Sequence, residues 1–124
     1  MICGLGLDLV KVSRIEQALA RFGDHFLARC FTTAEAKAAL ECPRPAQALA
    51  MRFAAKEAFA KATGLGLRGL ALIEIEVAYE PSGRPFLILY GHAQAWARGY
   101  NVANCHLTLT DDGDYAAAMV ALER

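Results

Sequence analysis

Residues 52–62 read RFAAKEAFAKA, from Arg52 through Ala62, and this stretch decides the fold. Alanine dominates it, no glycine or proline interrupts it, and its charged residues are good helix formers. The pattern extends back to about Ala46, where Pro45 suits the first turn of a helix. Pro43 and Pro45 break the chain just before it, and Gly64 follows as a C-terminal stop. A helix from about Ala46 to Ala62 is therefore expected as the longest element. Phe53, Glu57 and Lys61 fall four apart and share one of its faces.

Working outward, residues 2–10 (ICGLGLDLV) read as a first strand, apolar with small residues and one isolated acid, Asp8. Ser13-Arg14-Ile15-Glu16 has the form of a capping box, and Ile15, Ala18, Leu19 and Phe22 recur at helical spacing up to Gly23. A short segment from His25 to Phe31 follows. Thr32-Thr33-Ala34-Glu35 is a second capping box, opening a helix to about Glu41. Beyond the long helix, Ile73-Glu74-Ile75-Glu76-Val77 alternates strictly, predicting a strand with one wet face. Pro81-Ser82-Gly83-Arg84-Pro85 is turn chemistry and leads to a strand at Phe86–Tyr90. Gly91 to Gly99 suits a short helix carrying Trp96. His106–Thr110 and Tyr115–Val120 flank Asp111-Asp112-Gly113-Asp114 and predict a hairpin. The expected fold is α+β, a mostly antiparallel sheet packed on one long helix, in a single domain over residues 1–124.

Composition bounds the function. Hydrophobic residues make up 56% and charged residues 21%, which excludes a disordered chain. Net charge is zero, so no basic excess points to nucleic acid. Charge is uneven, however. Lys11, Arg14, Arg21, Arg29 and Lys37 outweigh the acids between them, while Asp111, Asp112, Asp114 and Glu123 dominate the tail. The basic part suits either a solvated helix face or an acidic partner. Cys3, Cys30, Cys42 and Cys105 form no CxxC pair and fit no zinc spacing. Met1 leads straight into the first strand with no signal peptide, and no apolar run approaches about 20 residues. A reducing, cytoplasmic setting without a membrane span is expected.

Asp8 is the first chemical oddity, since a charge within an apolar strand is costly unless paired or metal-bound. Read alone, it is a strand-end acid that faces solvent or caps a neighbour. Glu57 and Lys61 read alone are a surface pair on one helix face. Read together, Asp8 and Glu57 offer two hard oxygen ligands suited to magnesium, with substrate phosphates and water completing its shell. Lys61, one turn on, can reach a phosphate oxygen, and phosphoryl-type transfer needs this kind of charge neutralisation. Gly64-Leu65-Gly66-Leu67-Arg68-Gly69 spells GxGxxG but follows a helix and precedes a strand, the reverse of the dinucleotide-binding order. Its glycines serve a helix stop and a loop whose N–H groups can approach phosphate. His25 and His92 read as surface residues. His106 is a candidate phosphate or nucleotide contact; adjacent Cys105 points to the other face of its strand, against a Cys-His dyad.

The chain resembles the short holo-acyl-carrier-protein synthases. Ile2-Cys3-Gly4-Leu5-Gly6-Leu7-Asp8 looks like the family's G-[IL]-G-[IL]-D opening, and Arg52–Ala62 matches R-F-A-A-K-E-A-[FW]-x-K-A. Gly83-Arg84-Pro85 and His106–Thr110 fall in the family's order. The resemblance covers essentially the whole chain. It implies a 4'-phosphopantetheinyl transferase of fatty acid biosynthesis, moving phosphopantetheine from coenzyme A to a serine of apo acyl carrier protein and releasing 3',5'-ADP. By that resemblance Asp8 and Glu57 bind magnesium and Lys61 steadies the phosphates and leaving group. Arg52 and His106 meet the adenosine 3'-phosphate, and Ser82, Gly83, Arg84 and Pro85 neighbour adenine. Arg14 and Arg21 meet the acidic helix of the carrier protein. The base is a metal-associated water near Asp8 or a carboxylate. Where many members read H-x-S-x-[ST]-H, this chain has Thr108 and then Asp111, as other members with Thr-Asp do. The resemblance also implies a homotrimer with sites between subunits, which suits a chain too small to enclose coenzyme A. Two other readings stand beside it. One is a non-catalytic carrier-protein or nucleotide-binding module. The other is a broader-specificity transferase, against which the short chain argues.

Overall fold

A computed structural model describes residues 1–124. The chain forms β1 (Ile2–Lys11), α1 (Val12–Phe22), α2 (Asp24–Cys30), α3 (Thr33–Leu40), α4 (Pro45–Thr63), β2 (Ile75–Tyr79), β3 (Pro85–Leu89), α5 (Gly91–Gly99), β4 (Asn104–Asp111) and β5 (Tyr115–Glu123). Short 3-10 turns at Gly66–Arg68 and Leu72–Glu74 link α4 to β2. The expected α+β architecture is present, but its strands divide into two sheets. β1, β5 and β4 form an antiparallel sheet in that order, and β2 pairs only with β3.

α4 is enclosed on most sides. Ala54, Ala55, Ala58 and Phe59 have no exposed surface, and the helix packs on β1 and β5 on one side and on α1, α3 and β2 on others. A helix with no single apolar stripe is one buried in a core, and alanine is the residue that lets neighbours approach it from every direction. Pro45 occupies the first turn and Gly64 closes the helix at φ 80°, a left-handed conformation that suits glycine.

The strand β1 uses that closeness. A Cβ on Gly6 would collide with the Ala58 carbonyl oxygen and lie 2.8 Å from the Ala58 carbonyl carbon and 2.9 Å from the Ala62 nitrogen. A Cβ on Gly4 would strike the Ala62 carbonyl. The two glycines bring the strand's main chain down onto the helix backbone. Gly6 and Val10 are buried on this face and Asp8 points to it too, while Leu5, Leu7 and Leu9 on the opposite face are 65%, 65% and 61% exposed.

Two local expectations are corrected. Helix α1 begins at Val12 with Lys11 as its cap, and no side chain caps it, so the Ser13–Glu16 box does not form. The alternating run at Ile73–Val77 becomes strand only from Ile75, because Leu72–Glu74 turns first to let the Glu74 side chain accept from the Ala71 N–H at 3.0 Å. The second capping box does form. Thr32 Oγ1 accepts from the Glu35 N–H at 3.2 Å, and Glu35 Oε1 accepts from the Thr32 N–H at 3.0 Å. The segment expected around residues 25–31 is the helix α2.

Candidate active site

Close packing of β1 on α4 sets the site. Asp8 is two residues beyond Gly6 on the same face of β1, so it arrives beside the one stretch of α4 that carries charge toward solvent. Lys61 Nζ donates to Asp8 Oδ1 at 2.9 Å and to the Leu7 carbonyl at 3.0 Å. The Asp8 side chain is 12% exposed and that of Lys61 52%.

Glu57, one helical turn before Lys61, is half-buried. Burial raises its pKa above the usual glutamate range, and the Asp8 charge raises it further; Lys61 and Arg14 act in the opposite direction. Asp8 thus lies close enough for its charge to be felt at Glu57. Two carboxylates held together at a partly dry surface, with cations at the rim, suit a hard divalent cation. No group of three or more His, Cys, Asp and Glu side chains converges anywhere, so the chain forms no all-protein metal cage. A cation that takes two carboxylates and fills its remaining positions with phosphate and water fits the donor set at Asp8 and Glu57.

Arg14 lies on α1 with its charge felt at Glu57, and Arg21 is seven residues on, on the same stripe of that helix. Both are exposed. Arg21 stacks over Phe22, its guanidinium carbon 5.2 Å from the ring centre.

The remaining candidates lie elsewhere. Arg52 is 5% exposed on a different face of α4, donates to the Ala48 carbonyl at 3.0 Å and sits over Tyr79 of β2 at 5.2 Å. Its Nε is buried with no partner. Tyr79 pairs in register with Pro85, so Arg52 lies near the base of the hairpin that carries Ser82, Gly83, Arg84 and Pro85. His106 is half-exposed on the outer face of β4, its Nε2 3.0 Å from Glu123 Oε1. Because α4 packs on the inner face, the sheet stands between His106 and Arg52. Gly64 is exposed at the end of α4.

Sequence reasoning missed two features. One is the buried pair Lys56–Glu35, described below, hidden because lysine and glutamate ordinarily read as surface residues. The other is the apolar outer face of β1. Its signal was present in the period-2 alternation of Gly4, Gly6, Asp8 and Val10 against Leu5, Leu7 and Leu9.

The chain belongs to the 4'-phosphopantetheinyl transferase superfamily, whose family model matches residues 4–120. It is 48% identical over 124 residues to a holo-[acyl-carrier-protein] synthase of Solidesulfovibrio magneticus, covering 99% of both chains. Its structure resembles the crystal structure of the holo-[acyl-carrier-protein] synthase of Neisseria meningitidis, with a TM-score of 0.93, 34% identity and all of both chains covered. It also resembles the Bacillus anthracis holo-(acyl-carrier-protein) synthase in complex with CoA (3',5'-ADP), with a TM-score of 0.81, 33% identity and 99% and 97% of the two chains covered.

Proposed function

We infer that the chain is a holo-acyl-carrier-protein synthase. It transfers 4'-phosphopantetheine from coenzyme A to the serine hydroxyl of an apo acyl carrier protein, releasing 3',5'-ADP in the service of fatty acid synthesis. The observation that carries this reading is the convergence of Asp8, Glu57 and Lys61 in a family member whose relatives act as such synthases.

Asp8 and Glu57 would hold magnesium, which neutralises pyrophosphate charge and orients the phosphate under attack when bound. Lys61 supplies a compact, rotatable ammonium at the rim, suited to the phosphate oxygens and to charge building on the departing 3',5'-ADP. In the free chain the same ammonium is held by Asp8, so it is already aimed at the cluster. A carboxylate of this cluster, or water bound beside Asp8, would accept the hydroxyl's proton.

Arg52, with its unpartnered Nε, and the Ser82–Pro85 turn suit the adenosine end of coenzyme A. The sheet separates Arg52 from His106, so both meet one 3'-phosphate only if two subunits contribute. That supports a homotrimer with sites at subunit boundaries, as does the outer sheet face, where Leu5, Leu7, Leu9 and Met119 lie open. Arg14 and Arg21 form a cationic stripe beside the cluster that fits an acidic carrier-protein helix. No helix is long and apolar enough to cross a membrane, and all four cysteines are free, which supports a reducing cytoplasmic setting.

The test is incubation with coenzyme A, magnesium and an apo acyl carrier protein, read by intact mass. Wild type should add one phosphopantetheine; Asp8→Ala and Glu57→Ala should add none while keeping native circular dichroism. A carrier-binding module without catalysis would bind in all three cases and transfer in none. Leu7→Asp should dissociate the oligomer in light scattering and abolish transfer; an active monomer would overturn the trimer.

A further inference from the structure

Lys56 has no exposed surface and stands immediately before Glu57 in α4. Its ammonium carries three donors, and all three are used. One goes to Glu35 Oε1 at 2.6 Å, one to the Leu72 carbonyl at 2.9 Å and one to the Ile75 carbonyl. Glu35 is equally occupied. It is 1% exposed, its Oε1 also accepts from Thr32 N–H, and its Oε2 accepts from the Val77 N–H at 2.9 Å. The Phe31 ring lies over the ammonium at 5.6 Å. Burial pulls Lys56 below the usual lysine range, and Glu35 opposes that.

Such a pair is a weak source of stability. Removing both charges from water offsets most of their attraction, and an apolar pair of similar volume often serves as well. What the pair does supply is direction. The alanine faces of α4 permit close approach, and Leu49 and Phe59 fill the core without hydrogen bonds that would set the helix's rotation at defined angles. Lys56 ties α4 to the start of α3, to the Leu72–Glu74 turn and to β2 by hydrogen bonds at defined angles. One turn earlier, Arg52 meets β2 again through Tyr79.

We propose that the Lys56–Glu35 pair is a positioning device for phosphopantetheine transfer. It fixes the aim of Glu57 in the acidic cluster relative to the β2–β3 hairpin, whose Ser82–Pro85 turn takes the adenosine end of coenzyme A. Lys56 touches no substrate; it sets the distance between the two ends of one bound molecule. This rests on the transferase reading above.

The test uses the full chain carrying Lys56→Met together with Glu35→Gln. Methionine matches the lysine stem, and the glutamine oxygen can still accept from Thr32 or Val77. The double variant should melt below wild type, since the Leu72 and Ile75 carbonyls lose a donor, and kcat/KM for coenzyme A, measured below its Tm, should fall about 100-fold, the scale of a misplacement near 1 Å. The KM for carrier protein should not change, because Arg14 and Arg21 lie on α1. Glu35→Gln alone, which keeps Lys56 and the cap, should lower kcat/KM in the same direction and serves if the double variant melts too low to assay. Wild-type kcat/KM for coenzyme A in whichever variant is folded overturns the proposal, as does a raised KM for carrier protein, which would mark a general loosening of the fold. Absence of transfer by wild type in the same assay removes the transferase reading itself and is told apart by that control.

Discussion

Gly6→Ala is the sharpest perturbation of the geometry that builds the site. The added Cβ would overlap the Ala58 carbonyl oxygen and stand 2.8 Å from the Ala58 carbon and 2.9 Å from the Ala62 nitrogen. Ordinary contacts begin near 3.4 Å. The strand must therefore retreat from α4 by at least about 0.6 Å to clear the carbon, and further to clear the oxygen. Every atom involved is main chain, so no rotamer change can absorb the clash. Overpacking of this kind costs about 1–3 kcal/mol, which for a chain of this length lowers Tm by roughly 4–15 °C. Asp8 moves with the strand, away from Lys61 and Glu57, and a shift on the order of 1 Å in a positioning group costs about 100-fold in rate. The assay pairs calorimetric melting with transfer to apo carrier protein below the variant's Tm. Gly99→Ala is the control. It is exposed at the end of α5, no atom lies within 4 Å of the Cβ it would gain, and neither Tm nor rate should fall. A Gly6→Ala protein with wild-type melting and wild-type rate would refute the argument that this glycine brings Asp8 to the helix.

Other outcomes follow from the same contacts. The folded chain raises the Glu57 pKa, so folding favours its protonated form. That contribution is whole below the ordinary glutamate range and is lost as pH rises through the raised value. Without divalent cation, stability should thus decline across that window, and Asp8→Asn should flatten the decline in urea melts followed against pH. Thr32→Ala removes the α3 cap and the 2.6 Å hydrogen bond from Thr32 Oγ1 to Glu76, and should cost about 1–2 kcal/mol in urea unfolding with unchanged slope. Arg14→Glu should weaken carrier-protein binding in titration calorimetry while coenzyme A affinity holds; equal loss of both would indicate misfolding.

Much of the fold was legible because its signals are local. The alanine run with Pro45 before it and Gly64 after it marks α4 almost to the residue, and the Thr32–Glu35 box marks α3. The Asp112-Gly113-Asp114 turn marks the hairpin of β4 and β5. What failed was non-local. Ser13 and Glu16 carry the letters of a capping box, but α1 starts two residues too early for Ser13 to act, because β1 runs directly into it. Glu74 reads as a strand's wet face, yet it is drawn into a turn that serves the backbone of Ala71. The cluster of Asp8, Glu57 and Lys61 was nameable from residue types. Its cause was not, since nothing local says that Gly4 and Gly6 meet the carbonyls of Ala62 and Ala58. Lys56 and Glu35 were invisible as partners for the same reason: their bond spans two helices, and only burial reveals it.

Crystals grown with coenzyme A and manganese, measured for anomalous scattering at the manganese edge, test the account most directly. It predicts a single metal peak bonded to carboxylate oxygens of both Asp8 and Glu57 and to the pyrophosphate. A peak that touches only one of the two acids, or a pyrophosphate bound away from both, would contradict it.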